Sequence, residues 1–341
     1  MTASQGHSQV HWEPDVLPGY RALTLPLGAD PDGEGQLAAT LVQREGDGVA
    51  SRAVLVVHGF TDYFFHTELA DRFAARGFAV YALDLPKCGR SWREGQTPHF
   101  TTDLRRYDVA LQTALEHIDA PDVLIYGHSA GGLVVTLWLD RLRRRCATGR
   151  ITGLVLNSPW FDLHGPAILR SAPTSAALIA LARFRKMKVI RRPVPEGGYG
   201  SSLHRDYAGE FEYDLEWKPL GGFPVTFGWI NAIRRAQARL HRGLDVGVPS
   251  LLLRSGHSVP ESRDPDAIQR GDAVLDVAQI ARWAGCVGNR TTMVPITDAK
   301  HDVFLSLAGP RAAAYAELDA WLDWHQSHQK NQSTSSTTQS G

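Results

Sequence analysis

The pentapeptide Gly127-His128-Ser129-Ala130-Gly131 constrains the fold of this chain more than any other feature. An apolar run precedes it at residues 123–126, and apolar residues at helical spacing follow it between residues 133 and 142. A strand, a sharp turn and a helix in this order hold the serine in a strained conformation at the tip of the turn. Glycines two residues before and after the serine let the strand and the helix approach closely. The pattern favours Ser129 as an exposed nucleophile over a turn that only packs a helix on a sheet.

Short apolar runs alternate with amphipathic stretches along most of the chain. We expect strands at residues 20–27, 36–43, 53–57, 78–83, 123–126, 154–156, 249–253 and 291–295. Helices are expected near residues 67–76, 103–118, 274–283 and 310–325, in addition to the helix that follows Ser129. This alternation predicts an α/β fold, in which a mostly parallel, twisted sheet carries helices on both faces.

The alternation is interrupted once, after Phe161, and resumes near Pro249. We therefore expect an α/β core made of residues 20–160 and 246–326, with residues 161–245 inserted as a cap. Residues 1–19 are expected to form an N-terminal extension. Residues 327–341 are rich in Ser, Thr and Gln, a composition that predicts a disordered tail.

The amino-acid composition indicates which binding partners and which cellular compartment to expect. Lys and Arg number 36, as do Asp and Glu, so no net charge draws the chain to nucleic acid. Three cysteines are too few for a disulfide framework and favour a reducing, cytoplasmic location, and none has a metal-site spacing. We recognise neither a signal peptide nor an apolar run of transmembrane length. No feature of the sequence specifies an oligomeric state.

A serine hydroxyl becomes a useful nucleophile only with an adjacent base, and that base needs an orienting acid. In a hydrolase of this architecture the chain order is Ser, then Asp or Glu, then His. His301 follows the last expected strand and suits the base. Asp272, at the entry of the helix after strand 249–253, is the favoured acid, although aspartate at such a position is often a helix N-cap. Asp276 is the main alternative, and Asp264 and Asp266 are weaker ones.

An oxyanion formed during acyl transfer needs preorganised hydrogen-bond donors. The backbone N–H of Ala130, directly after the nucleophile, is one expected donor. The second should come from the loop after strand 53–57, which reads His58-Gly59-Phe60. Gly59 lets this loop approach the site closely, and we expect the N–H of Phe60 to be the donor.

With these residues identified, the chain resembles the α/β-hydrolase superfamily. It is most similar to the branch that contains monoacylglycerol lipases, bacterial lysophospholipase-like hydrolases and serine aminopeptidase S33-type domains. The similar segments are residues 56–60, 77–84, 89–91, 127–132, 157–160, 300–303 and 318–322. The resemblance implies a triad of Ser129, Asp272 and His301, with Phe60 and Ala130 as oxyanion donors. In the family the acid follows its strand closely, whereas residues 257–271 intervene here.

These observations predict a serine hydrolase that cleaves carboxylic esters without a metal or organic cofactor. Small-molecule acyl lipids, such as monoacylglycerols or lysophospholipids, are the expected substrates. Phe223, Phe227, Trp229 and Ile233 could line an acyl pocket, although the helix expected at residues 228–242 could instead pack on the core. One alternative is an aminopeptidase or amidase with the same triad. Another is a non-catalytic relative that binds a small ligand.

Residues 176–192 combine an apolar run with six basic side chains. Such a segment could contact an anionic membrane surface, so a peripheral membrane partner stays open. The alternative is an ordinary solvated basic face.

Overall fold

A nine-stranded mixed sheet lies at the centre of the protein. The structure is a computed structural model, and it describes residues 11–46, 50–165, 168, 171–190, 198–259 and 264–338. The strands of the sheet are β1 (Glu13–Pro14), β2 (Tyr20–Ala29), β3 (Gln36–Arg44), β4 (Arg52–Val57), β5 (Phe78–Asp84), β6 (Asp122–His128), β7 (Ile151–Asn157), β10 (Ser250–Ser255) and β11 (Thr291–Ile296). A separate hairpin contains β8 (Val189–Ile190) and β9 (Val225–Thr226). The helices are α1 (Thr67–Ala75), α2 (Tyr107–Glu116), α3 (Ser129–Arg144), α4 (Ala172–Phe184), α5 (Phe227–Leu240), α6 (Pro265–Arg270), α7 (Val277–Trp283) and α8 (Ala308–Thr338).

The order of strands across the sheet is β1-β2-β3-β5-β4-β6-β7-β10-β11. Pairing is antiparallel from β1 to β5 and parallel from β5 to β11. The predicted α/β fold with a mostly parallel sheet is therefore confirmed. The chain leaves β4 for β5 on one side and later returns to β6 on the other side. Such a switch point opens a crevice at the carboxyl ends of the strands, where ligands bind in sheets of this kind.

The sheet is buried on both faces, as a continuous apolar run in a parallel strand predicts. In β4, Leu55 packs into one apolar layer and Val54 into the other. One layer also contains Trp138 of α3, and the other contains Leu318 of α8. Helices pack on both faces of the sheet and bury it, so the loops at its carboxyl edge extend from a fixed framework.

The chain between β7 and β10 contributes α4, the β8–β9 hairpin, α5 and the irregular stretch 198–224. Helix α5 begins where Thr226 Oγ1 accepts the Trp229 N–H at 3.2 Å, which satisfies an otherwise unpaired donor. Of the basic segment singled out in the sequence, Arg191 and Arg192 lie outside the described residues. Residues 1–10 of the expected N-terminal extension also lie outside them.

Helix α8 continues to Thr338, whereas composition predicted a disordered tail over residues 327–341. The physical reason is that Leu318, Trp321 and Leu322 anchor the helix on the core. Lengthening an existing helix avoids the cost of starting a new one. Residues 339–341 lie outside the described part of the chain. No helix within the described ranges is long and apolar enough to span a bilayer.

Candidate active site

The predicted nucleophile stands at a sharp turn between β6 and α3. Ser129 has a backbone φ of +51°, a conformation that residues other than glycine rarely adopt. Close neighbours enforce this turn. A Cβ on Gly59 would lie 2.9 Å from the Ser129 Cβ, and a Cβ on Gly131 would overlap the carbonyl oxygen of His58. Both glycines are therefore required by the close approach of the loop after β4 to the beginning of α3.

The residues predicted as base and acid are in direct contact. His301, in the loop after β11, has its Nδ1 2.9 Å from the Asp272 Oδ2. Both side chains are almost fully buried, at 2% and 0% exposure. The other carboxylate oxygen of Asp272 accepts the N–H groups of Val274 at 2.8 Å and Leu275 at 2.7 Å. A neutral imidazole that donates Nδ1–H to this carboxylate has Nε2 as its proton acceptor, and the His301 Nε2 has no hydrogen-bond partner among the described residues.

The insertion before the acid does not move Asp272 away from β10. The N–H of Asp272 donates to the His257 carbonyl at 3.0 Å, and its own carbonyl accepts the Val259 N–H at 2.9 Å. Asp272 therefore lies beside the residues that follow β10 directly. Asp276 instead caps α7 by accepting the Ala278 N–H at 3.0 Å. Asp264 likewise caps α6, and Asp266 lies in the exposed first turn of that helix.

Ser129 and His301 both line a cavity of about 300 Å³ at the carboxyl edge of the sheet. Phe60, which follows β4, lines it as well. Ala130 is the second residue of α3, where backbone N–H groups have no partner within the helix and the helix dipole favours negative charge. In β-sheet register, Val57 of β4 pairs with Gly127 of β6, so the two predicted oxyanion donors extend from neighbouring strand ends.

The structure corrects the expected acyl-binding residues. Phe223 lines the cavity, but Phe227, Trp229 and Ile233 are absent from its described wall. Ile233 is fully buried in the core, and Trp229 stacks on Phe60 with ring centroids 5.1 Å apart. Helix α5 therefore packs on the core, the alternative that the sequence had left open. The apolar wall comes from loops and from two short elements, none of which carries a clear periodic signal: Leu163, Leu220, Val274 and Leu275 in loops, Val225 in β9 and Ile268 in α6.

A second buried polar cluster lies beside the His301 ring. The His128 ring centroid is 4.9 Å from that of His301. Burial lowers the pKa of His128 to about 4, so this imidazole is neutral at pH 7. Asp302 accepts from His66 Nε2 at 3.0 Å and from Asn157 Nδ2 at 2.7 Å. Burial raises the pKa of Asp302, but the two imidazoles and the amide outweigh this and hold the pKa well below its usual range.

Sequence reasoning missed several residues of the cavity wall. Trp160 belongs to a segment that carried the family resemblance, so its position after β7 was a usable signal. Asp62, Tyr199 and Lys218 lie in irregular segments, and no pattern in the sequence distinguished them. No group of three His, Cys, Asp or Glu side chains within the described ranges is arranged to hold a metal ion.

Comparison with known proteins places this architecture in a family. The model of the family described as serine aminopeptidase, S33, matches residues 48–259, which is more than half of the chain. The chain belongs to the serine aminopeptidase S33 family. The match includes Phe60 and Ser129 and ends before Asp272 and His301.

Individual relatives agree with this assignment. Phospholipase YtpA of Bacillus subtilis (strain 168) is 31% identical over 113 residues, which cover 33% of this chain and 41% of that protein. The chain thus spans about two fifths of the length of this curated relative. A monoglyceride lipase from Saccharomyces cerevisiae has a similar structure, with a TM-score of 0.59, 17% identity, and coverage of 89% of this chain and 97% of the other. A monoacylglycerol lipase from Paleococcus ferrophilus gives a TM-score of 0.60 at 17% identity, over 89% and 99% of the two chains.

The predicted resemblance to this lipase-like branch is therefore confirmed. The protein is an α/β-hydrolase that shares the fold of these two lipases.

Proposed function

We propose that this S33-family hydrolase cleaves carboxylic esters with Ser129 as nucleophile, His301 as base and Asp272 as orienting acid. The observation that carries the proposal is the Asp272–His301 contact, which leaves an unpartnered Nε2 on a residue that shares a cavity with Ser129. A neutral imidazole in this tautomer can take the serine proton, and the carboxylate stabilises the imidazolium that results.

The reaction would proceed in two steps. Ser129 Oγ attacks the ester carbonyl while its proton passes to His301 Nε2, and the oxyanion is held by the N–H groups of Phe60 and Ala130. Collapse of the tetrahedral intermediate breaks the ester bond, and His301 gives its proton to the leaving alcohol. Water then attacks the acyl-enzyme by the same route and releases the acid.

Charge in the cavity supports an ester rather than an aminoacyl amide as substrate. An aminopeptidase would need a carboxylate pair or a similar acceptor to hold the substrate ammonium. Among the described residues, Asp62 is the carboxylate that lines the cavity, and Lys218 neutralises it at 2.7 Å. Two acidic residues of the inserted segment, Glu210 and Glu212, each contact an arginine and do not line the cavity among the described residues.

The same charges favour a neutral headgroup. Asp62 and Lys218 form a pair, so the described wall offers no uncompensated cation to a phosphate. We therefore favour an acylglycerol-type ester over a lysophospholipid, although the printed names of the relatives include both a phospholipase and monoacylglycerol lipases.

We further propose that residues 161–245 act as the cap that shapes this cavity. Leu163, Tyr199, Lys218 and Phe223 contribute to its wall from this range, and Ser129 and Phe60 contribute from the sheet edge. The core would then comprise residues 20–160 and 246–326.

The outer surface of this segment supports a peripheral contact with an anionic membrane. Ile179 and Phe184 of α4 are 53% and 81% exposed, and Met187 follows at 40%. Arg183 and Lys188, beside them, are also exposed. Exposed apolar side chains next to basic ones suit the boundary between headgroups and acyl chains of acidic lipids.

The direct test is Ser129→Ala in a hydrolysis assay with acyl esters. Loss of the nucleophile costs on the order of a millionfold in kcat in a well-studied serine protease, so a loss of several decades is expected. A folded variant that keeps more than a tenth of the wild-type rate would refute the assignment. If the wild-type protein binds acyl esters without turnover, the ligand-binding alternative is correct.

A further inference from the structure

A buried ion pair joins the irregular stretch 198–224 to the loop after β4. Lys218 Nζ lies 2.7 Å from Asp62 Oδ1, and their side chains are 10% and 3% exposed. Both residues line the cavity that contains Ser129. Burial raises the pKa of Asp62, but Lys218 and the nearby His66, His128 and His58 together outweigh this and hold the pKa below its ordinary value. The wall of the proposed active site therefore contains one acidic and one basic side chain, which compensate each other's charge.

The two side chains of this pair also contact the backbone of the loop that contains Phe60. The second carboxylate oxygen of Asp62 accepts the Gly59 N–H at 3.4 Å, and Lys218 Nζ lies 3.5 Å from the Thr61 carbonyl. These contacts fall on the residues directly before and after Phe60. The direction of the Phe60 N–H therefore depends on two backbone positions that the ion pair holds.

This loop is strained and is held from outside. Thr61 has φ of +52°, which is unfavourable for a β-branched residue and persists only where surrounding contacts demand it. Its Oγ1 accepts the Phe223 N–H at 2.9 Å, a second contact from the same stretch that contains Lys218. Farther along, the Tyr63 hydroxyl accepts the Asp214 N–H at 2.7 Å.

Stability alone does not account for a charged contact here. A buried ion pair is often no more stabilising than well-packed apolar residues of similar size. The neighbouring Phe65 and Tyr213 already pack together, with ring centroids 5.0 Å apart. The ion pair adds a fixed backbone orientation. Its hydrogen bonds hold the loop after β4 in one position, whereas apolar packing alone would let that backbone shift.

We infer that Lys218 and Asp62 are positioning residues, which couple the seating of residues 198–224 to the orientation of the Phe60 N–H in the oxyanion hole. The inference rests on the proposed function and adds a role for the inserted segment in catalysis. A donor aimed at the oxyanion acts in the transition state and little on bound substrate, so its loss lowers kcat with little change in KM. A misplacement of about 1 Å can cost on the order of a hundredfold in rate.

The test compares Lys218→Met, Asp62→Asn and the double variant in hydrolysis of a short-chain p-nitrophenyl ester. We expect each single variant to lose roughly a hundredfold in kcat while KM changes less than threefold. The double variant contains no uncompensated charge, so its free energy of unfolding should recover toward the wild-type value. Its kcat should nevertheless stay as low as that of the worse single variant. Lys218→Arg, which keeps the charge, should retain more activity than Lys218→Met.

A control exists in a second buried ionic contact, which lies outside the cavity among the described residues. Lys87 Nζ contacts Asp30 at 2.6 Å and Glu34 at 2.5 Å, and the side chains of Lys87 and Asp30 are both 2% exposed. Lys87→Met should lower the free energy of unfolding and leave kcat within twofold of wild type. This comparison separates the effect of breaking a buried ion pair from the effect of moving the oxyanion loop.

Two outcomes would overturn the inference while the proposed function stands. One is a wild-type kcat in the folded Lys218 and Asp62 variants, and the other is a pair of losses that add in the double variant. The rate constant for phosphonylation of Ser129 by a fluorophosphonate reports on the same oxyanion hole without any choice of ester. A wild-type protein that neither hydrolyses esters nor reacts with the fluorophosphonate would overturn the proposed function and the inference together.

Discussion

Replacement of Asp272 by asparagine should disable the enzyme without unfolding it. In Asp272→Asn, the side-chain oxygen can still accept the N–H groups of Val274 and Leu275, which the Asp272 Oδ1 accepts at 2.8 and 2.7 Å. The amide nitrogen would then face the His301 Nδ1, which lies 2.9 Å from Asp272 Oδ2. An amide donates where a carboxylate accepts, so Nδ1 must become the acceptor and the proton moves to Nε2. In that tautomer His301 cannot take the proton of Ser129.

The expected cost is about ten-thousandfold in kcat, the size of the tautomer effect in the serine protease template, or about 5.4 kcal/mol. Asp276→Asn is the matched control, because Asp276 caps α7 and asparagine caps helices about as well as aspartate. Steady-state hydrolysis of a p-nitrophenyl ester, with thermal unfolding measured in parallel, gives both quantities. A folded Asp272→Asn enzyme with more than a tenth of wild-type kcat, or a crippled Asp276→Asn enzyme, would refute the reasoning.

Three further predictions concern the substrate, pH and the membrane. The value of kcat/KM should rise about fourfold per added CH₂ in an acyl ester series until the cavity is full, since each buried methylene contributes about 0.8 kcal/mol; faster cleavage of an aminoacyl amide than of any ester would contradict the ester assignment. Burial lowers the pKa of Lys300 to about 8, so the native state binds fewer protons than the unfolded state between about pH 8 and 10.4. The free energy of unfolding in urea should therefore gain roughly 2 kcal/mol from this group across that range, and Lys300→Met should remove that gain; an unchanged pH dependence in the variant would count against it. Phe184→Asp should reduce co-sedimentation with phosphatidylserine vesicles and leave hydrolysis of a water-soluble ester unchanged, whereas equal sedimentation of both proteins would exclude this surface as the contact.

The fold could be predicted because the parallel strands carry their own signal. Each central strand, such as β4, is a short apolar run bounded by turn residues. Such a run is typical of a parallel strand that is buried on both faces. The strained turn at Ser129 was predictable for the same reason, since a strand, a small-residue turn and a helix occur in one continuous segment. His301 was predicted as the base because it lies in the loop after the last strand.

The cavity wall could not be predicted in the same way. Lys218 and Phe223 lie in an irregular stretch, and their positions depend on contacts with Asp62 and Thr61 more than 150 residues away in sequence. Helix α5 was predicted correctly as an element, but its apolar face serves the core. Periodicity shows that a face is buried without showing whether a protein layer or a ligand buries it. The helical continuation of α8 was missed because composition does not record how firmly Trp321 anchors the preceding turns.

The most direct test of the central claim is to identify the residue that reacts with a fluorophosphonate probe. The account predicts one covalent adduct per folded wild-type molecule, on the peptide that contains Ser129, and no adduct in Ser129→Ala. It also predicts much slower labelling in Asp272→Asn, because His301 then cannot accept the serine proton. Labelling that persists in Ser129→Ala, or a folded wild-type protein that remains unlabelled, would contradict the claim that Ser129 is the activated nucleophile of this hydrolase.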